Sequence, residues 1–208
     1  MLPKVFVIGF NKCGTTSLHK MFKRAGHHSS HHRHQREGGR SVKLVTQIDA
    51  NARAGLPLLD GIEGAQVYSD MDFCIPRPER SGIGHFRMLD AQYPGSRFIL
   101  NTRDPLNWLN SRCRHFGGGY LRRAMAEAGI RDRRQICAHW LRDWAEHHAA
   151  VTTHFATRPR QLLVFDIERD DPARLRDFLP EFGLKRGYWR HHNPTPPEIA
   201  IPELALAG

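Results

Sequence analysis

Apolar runs alternate with helically spaced apolar residues along most of the chain. A continuous apolar run at 4–9 is typical of a strand buried on both faces of a parallel sheet, and 66–69, 97–101 and 161–165 are predicted as three further strands. Apolar residues at helical spacing lie at 15–25 and 134–155, and further helices are predicted within 42–60, from 105 onward and at 172–179. We therefore predict a three-layer α/β fold, with a mainly parallel central sheet flanked by helices.

Capping residues mark two of the predicted helix boundaries. Gly26 follows the first helix as a C-cap. Asp104 and Pro105 provide an N-cap and a first helical residue for the helix after the third strand. The next apolar stripe is separated from that helix by a run of glycines at 117–119, which predicts a break.

The segment 27–40 is polar and rich in His, Ser, Gly and Arg. It has no periodicity, so we expect an exposed loop. Its first part holds five histidines, at positions 27, 28, 31, 32 and 34. No Cys or acidic residue lies among them, and we therefore expect no metal site there.

Length and charge narrow the possible functions. The 208 residues suit one domain over 1–208, and the formal net charge of +10 favours an anionic partner. Nucleic acid, an acidic polymer and a multiply charged nucleotide all meet that condition. No apolar run approaches the roughly 20 residues of a membrane-spanning helix, so we expect no membrane span. Four cysteines without a CxxC pair favour free thiols and a cytoplasmic location.

A glycine-containing loop joins the first predicted strand to the first predicted helix. It covers residues 9–14 and includes Cys13 and Gly14. Such a loop directs backbone N–H groups toward the positive end of the helix dipole, where phosphate and sulfate groups bind. Thr15, Thr16 and Ser17 add hydroxyl donors in the first helical turn.

The loop keeps the glycine spacing of a Walker motif, G-x4-G-K-[ST], but Thr15 stands at the position of the Walker lysine. The only lysine in the loop is Lys12. A nucleoside triphosphatase needs its lysine on the β- and γ-phosphates and a hydroxyl on magnesium, which this loop does not provide. We expect Lys12 to lie near the bridging oxygen of a phosphosulfate anhydride and to stabilise the departing phosphate, which makes it a catalytic residue.

The sequence KCGTTSL at 12–18 resembles the 5′-phosphosulfate loop of the sulfotransferase family, K-x-G-T-T-x-L. The resemblance implies a P-loop-like sulfotransferase fold, with residues 12–17 on the 5′-phosphosulfate. It also implies transfer of a sulfuryl group from 3′-phosphoadenosine 5′-phosphosulfate (PAPS) to a hydroxyl or amine of a small-molecule or carbohydrate acceptor. The product would be PAP, and no metal is required. Neither the acceptor nor the oligomeric state can be read from the sequence.

A second motif matches the same family. Arg103 leaves the third predicted strand, and Ser111 lies eight residues later in the next helix, as in the family's 3′-phosphate motif. The arginine offers a forked set of donors to a phosphate, and the serine adds a hydroxyl. Near the C-terminus, Lys185 and Arg186 resemble a basic loop that closes over the 3′-phosphate, although the form R-K-G-x-x-G is absent. A solvated basic tail is the alternative.

Transfer to a hydroxyl or amine needs a general base. Family members use a histidine or a carboxylate beside the sulfuryl group. Asp70 and Asp72 follow the second predicted strand, at the sheet edge where we expect the loop, and we favour Asp70 as the base. His19 and His85 are alternatives. A structural role for Asp70, in a turn or paired with an arginine, is also open.

Two other functions remain open on the sequence. The first is a nucleotide kinase or NTPase with a degenerate phosphate loop, which would require magnesium-dependent ATP turnover. The second is a basic nucleic-acid-binding module. Since the chain has no helix-turn-helix, zinc-finger or RNP signature, we expect no nucleic-acid partner.

Overall fold

The computed structural model of the chain describes residues 2–73 and 81–192. Within these ranges the strands are Val5–Val7 (β1), Ser29–His31 (β2), Arg33–Gln35 (β3), Ser41–Lys43 (β4), Val67–Ser69 (β5), Arg97–Thr102 (β6) and Leu162–Asp166 (β7). The α-helices are Thr15–Arg24 (α1), Leu44–Arg53 (α2), Phe86–Gln92 (α3), Pro105–Arg114 (α4), Gly119–Ala128 (α5), Arg133–His154 (α6) and Ala173–Phe178 (α7).

The strands form one sheet in the order β4-β3-β2-β5-β1-β6-β7. Strands β2, β5, β1, β6 and β7 pair in parallel, whereas β3 and β4 extend the sheet by antiparallel pairing. The expected mainly parallel sheet is confirmed. Because the parallel strands all point the same way, the residues that follow them meet at one edge of the sheet.

Helices cover both faces of the sheet, as the alternation of side chains along β1 requires. Phe6 packs on one face, in a core that contains buried residues of α2 to α6. Val5 and Val7 pack on the other face, against buried residues of α1 and α7 such as Phe22 and Leu175. This arrangement gives the three predicted layers.

The helix boundaries follow the capping residues in the sequence. The Asp104 carboxylate accepts hydrogen bonds from the backbone N–H groups of Leu106 at 2.9 Å and Asn107 at 3.0 Å, and Pro105 is the first residue of α4. The predicted glycine break separates α4 from α5, although Gly119 already belongs to α5. No helix among the described residues is long and apolar enough to span a membrane.

The prediction of an exposed loop over 27–40 is wrong. The segment forms β2, β3 and a turn of 3-10 helix, and β4 begins just after it. Ser29, Ser30 and His34 are buried, and Ser30 Oγ lies 2.8 Å from His34 Nδ1. The polar side chains satisfy one another within the fold, so the segment pairs as strands without an apolar pattern. Part of the predicted loop at 75–84 lies outside the described residues.

Candidate functional site

A cavity of about 820 Å³ opens at the edge of the sheet where the parallel strands end. Each of these strands is followed by a residue that lines it: His32 after β2, Asp70 after β5, Lys12 after β1, Arg103 after β6 and Ile167 after β7. Ligands of open α/β sheets bind at this edge. The volume falls within the range of about 300–1,000 Å³ that is usual for small-molecule sites.

The loop between β1 and α1 needs glycine at two positions. A Cβ on Gly9 would lie 1.9 Å from the carbonyl oxygen of Asn101. Gly14 has a left-handed backbone, with φ of 76°, and a Cβ there would lie 2.9 Å from Ile167 Cγ2. The loop therefore runs directly against β6 and against the residue after β7, which brings its backbone to the cavity.

Asn101 clamps this loop from β6. Its Oδ1 accepts from the backbone N–H of Gly9 at 2.8 Å, and its Nδ2 donates to the carbonyl oxygen of Cys13 at 2.8 Å. Asn101 is fully buried, so both hydrogen bonds are shielded from water. The sequence reasoning missed this role. The available signal was a polar residue at the end of an otherwise apolar strand.

Lys12 and Cys13 point in different directions. Lys12 lines the cavity, and its Nζ donates to His115 Nδ1 at 3.3 Å. Burial lowers the pKa of Lys12, while the Asp70 carboxylate works against this shift and Arg103 adds to it. The Cys13 side chain is fully buried in the core, and burial raises the pKa of its thiol. Cys13 is therefore not among the residues that line the cavity, although its neighbours Lys12 and Gly14 are.

The first turn of α1 brings its hydroxyls to the same cavity. Thr15 and Ser17 are buried there, and Thr16 Oγ1 lies 3.4 Å from His31 Nε2. The Ser17 hydroxyl accepts from the backbone N–H of His192 at 3.0 Å, which holds the C-terminal segment against the helix. The cavity thus contains the N-terminus of a helix with hydroxyl donors, a general anion-binding arrangement.

Arg103 and Ser111 line the cavity together with the loop. Arg103 Nη1 donates to the carbonyl oxygen of Lys12 at 3.3 Å. Arg103 also binds the carboxylate of Glu168, through Nε at 2.9 Å and through Nη2. Ser111 is buried in α4. The guanidinium of Arg103 therefore lies on the same side of the sheet as Lys12 and beside the loop.

Asp70 lies next to the histidines of β2 and its turn. Its Oδ2 is 3.5 Å from His32 Nδ1 and 3.9 Å from His31 Nδ1. Asp70 and His32 both have a left-handed backbone, with φ of 58°, and so do Lys12, with φ of 67°, and Phe116, with φ of 54°. These are the non-glycine residues with positive φ in the described part of the chain, and all line the cavity. Strained backbone of this kind concentrates at functional sites.

Among the residues that the structure describes, Asp72, unlike Asp70, pairs with an arginine and is almost completely buried. Its Oδ2 lies 3.2 Å from Arg112 Nη2, and both side chains are almost completely buried. Burial raises the pKa of Asp72 to about 6, and the Arg112 guanidinium works against that shift. Arg112 also donates to the carbonyl oxygen of Phe73 at 2.8 Å. Asp72 is therefore a fixed, partly protonatable group in the wall of the cavity.

Several candidates do not line the cavity. His19 Nδ1 shares a hydrogen bond with Ser29 Oγ at 2.9 Å, and burial lowers the pKa of His19 to about 4. Burial likewise lowers the pKa of His85, before α3. Lys185 lies over the Tyr188 ring, with Nζ 5.9 Å from the ring centre. The C-terminal segment contributes Trp189, His191 and His192 to the cavity.

Arg186 also lies away from the cavity lining. Its Nη2 pairs with Asp171 Oδ2 at 3.1 Å, and both side chains are exposed. The histidines of the 27–34 segment bind protein groups, such as the carbonyl oxygen of Gly64 for His28 and that of Phe182 for His27. In residues 2–73 and 81–192, no group of three or more His, Cys, Asp or Glu is arranged to hold a metal ion.

Comparisons with known proteins show the family of the chain and agree with its fold. The sulfotransferase domain model matches residues 4–180. Among solved structures, the fold is similar to that of a sulfotransferase from Alicyclobacillus acidocaldarius, with a TM-score of 0.50 and 17% identity over 95% of this chain and 87% of that chain. Curated protein sequences give no significant match. Since the family model covers well over half of its length, the chain belongs to the sulfotransferase family.

Proposed function

We propose that the chain transfers a sulfuryl group from PAPS to a hydroxyl or amine of an acceptor. The observation that carries the proposal is the placement of Lys12 and Arg103 in one cavity, at the ends of the neighbouring strands β1 and β6. Arg103 Nη1 lies only 3.3 Å from the carbonyl oxygen of Lys12. A nucleotide with anionic groups at both its 3′ and its 5′ position requires two such cationic sites close together.

The residues around the cavity fit the two ends of PAPS. The 5′-phosphosulfate would lie on the loop and first helical turn, at 12–17, where Lys12, Gly14 and the residues that carry the hydroxyls line the cavity. The 3′-phosphate would lie on Arg103 and Ser111. PAPS would supply the sulfuryl group and leave as PAP. The predicted contacts of Lys185 and Arg186 have less support, because both lie outside the cavity lining.

In this proposal, Lys12 stabilises the leaving phosphate. Its ammonium group is half-buried, and this burial lowers the pKa of Lys12. A cation in such a site interacts more strongly with developing negative charge than one in water does. The clamp from Asn101 fixes the loop on either side of Lys12. The lysine is therefore held in place before the reaction begins.

Asp70 remains our proposed general base. It follows β5, the strand between β1 and β2, and so it lies between Lys12, which follows β1, and His32, which follows β2, beside the proposed sulfuryl position. Beyond it the cavity continues to Lys43 and Thr46, which leaves room for an acceptor on that side. Asp70 would take the proton from the attacking hydroxyl or amine. Asp72 is a weaker candidate since Arg112 holds it in the wall.

The competing functions are not favoured. A kinase or NTPase would need a lysine where Thr15 stands, and the sulfotransferase domain match includes this loop. A nucleic-acid-binding module would leave the cavity and its anion-binding loop without a role.

Two measurements test the proposal. PAP should raise the melting temperature of the protein, because a ligand that binds the native state stabilises it. Transfer from radiolabelled PAPS should then be measured with a panel of hydroxyl and amine acceptors. We expect Lys12→Ala to lose at least about 100-fold in turnover while remaining folded.

A matched control is available on α1. Lys23 is exposed and lies outside the cavity lining, so Lys23→Ala removes the same charge without touching the loop. This variant should keep its turnover. Turnover in Lys12→Ala equal to that of Lys23→Ala would refute the mechanism, and the absence of a melting shift at millimolar PAP would refute the site.

A further inference from the structure

The carboxylate of Glu168 binds Arg103, one of the two residues that we propose for the 3′-phosphate. Glu168 lies two residues after the end of β7 and reaches across to Arg103, binding its Nε at 2.9 Å and its Nη2. The same carboxylate accepts from the backbone N–H of Asp104 at 3.1 Å and from Asn107 Nδ2 at 3.2 Å. Its donors are thus an arginine fork, a backbone N–H before α4 and a side-chain amide.

These donors form an anion site that the protein fills with its own side chain. An arginine fork combined with N–H groups at the start of a helix is suited to a phosphate or a carboxylate. The Arg103 side chain is 13% exposed and that of Glu168 is 26% exposed, so the pair is partly shielded from solvent. Burial alone would raise the pKa of Glu168, but the hydrogen bonds from Asp104, Arg103 and Asn107 hold the pKa below its ordinary value.

We infer that Glu168 competes with the 3′-phosphate of the nucleotide for Arg103 and so sets how tightly the protein holds PAP. This inference rests on the proposed function. A 3′-phosphate that approaches Arg103 meets a negative charge already bound there, and it displaces Glu168 or shares the guanidinium with it. Either event weakens the binding of a nucleotide that carries a 3′-phosphate. A nucleotide without that group leaves the pair intact.

An alternative reading makes Glu168 a positioning residue that orients Arg103 toward the phosphate. The two interpretations predict opposite changes in PAP affinity when the negative charge of Glu168 is removed. Glu168→Gln keeps the length of the side chain and one oxygen that can accept from Arg103. It removes the negative charge and replaces the oxygen that accepts from the Asp104 N–H by an NH2 group. A competitor predicts tighter binding of PAP, whereas a positioning residue predicts weaker binding.

The experiment is isothermal titration calorimetry of PAP and of 5′-AMP, which lacks the 3′-phosphate, at one ionic strength. Repulsion between a carboxylate and a phosphate in a partly buried site is large enough for us to expect PAP to bind Glu168→Gln about tenfold more tightly. The affinity for 5′-AMP should stay the same. Glu181→Gln removes the same charge at an exposed position outside the cavity lining and should bind both nucleotides as the wild type does.

Unchanged or weaker PAP binding by Glu168→Gln would overturn the inference and leave the proposed function standing. An equal increase in the affinity of Glu168→Gln for PAP and for 5′-AMP would also overturn the inference, because the effect would then not involve the 3′-phosphate. Absence of PAP binding by the folded wild type and by Glu168→Gln would refute the proposed function itself, and the inference with it.

Discussion

Replacing Asn101 by alanine tests whether the loop between β1 and α1 depends on the clamp from β6. The change removes the acceptor for the Gly9 N–H and the donor to the Cys13 carbonyl, each at 2.8 Å. Both groups then stay buried without their partner, at about 1–3 kcal/mol each, or roughly 2–6 kcal/mol together. We also expect PAP to bind about tenfold more weakly, because the loop no longer holds its N–H groups in place.

Asn51 provides a control of the same kind. It is also buried, and its Nδ2 donates to the carbonyl oxygens of Leu58 and Asp60, both at 3.0 Å. Because Asn51 is outside the cavity lining, Asn51→Ala should destabilise the protein by a similar amount and leave PAP affinity unchanged. Urea titration measures the free energy of unfolding, and calorimetry measures the affinity. Equal PAP affinities in the Asn101 and Asn51 variants would refute the clamp.

Three further predictions concern stability. Arg112→Met should lower the free energy of unfolding, measured by urea titration, by about 3–5 kcal/mol, because it removes the arginine that pairs with the buried carboxylate of Asp72. A decrease below about 1 kcal/mol would contradict the importance of this ion pair for stability. Gly14→Ala should lower the melting temperature more than Gly26→Ala does; both positions have positive φ, but only at Gly14 would a Cβ meet another side chain, at 2.9 Å. Equal decreases in the melting temperature of the two variants would contradict this prediction.

The third of these concerns pH. Burial lowers the pKa of His147 to about 4, from the ordinary 6.5, so the unfolded chain binds this proton more readily and stability falls as the pH drops from about 6.5 to 4. His147→Gln does not titrate and should reduce that loss by up to about 3 kcal/mol, whereas an unchanged pH dependence would disprove the assignment.

The parts of the fold that the sequence predicts correctly are those whose burial is local and periodic. The strands β1, β6 and β7 each contain three or more consecutive apolar residues, β5 is buried throughout, and α6 carries a long apolar stripe. By contrast, β2, β3 and β4 have three residues each and are largely polar. Their pairing depends on β5 and on contacts such as the one between Ser30 and His34, which no local pattern reveals.

The residues of the candidate site likewise fall into those that the sequence predicts and those that it does not. Lys12, the hydroxyls after it, and Arg103 lie in motifs next to predicted strands, and the structure places them together. Asn101 and Glu168 belong to no motif. They meet the loop and Arg103 only because β6 lies between β1 and β7, and the strand order is a long-range property. An apolar pattern can show where a buried strand lies, but not which strands are its neighbours.

A crystal structure of the protein with PAP tests the central claim most directly. We expect the 5′-phosphate on the N–H groups and hydroxyls of residues 13–17 beside Lys12, and the 3′-phosphate within hydrogen-bond distance of Arg103 and Ser111. A nucleotide that lay elsewhere, or whose two phosphates did not bridge Lys12 and Arg103, would contradict the account.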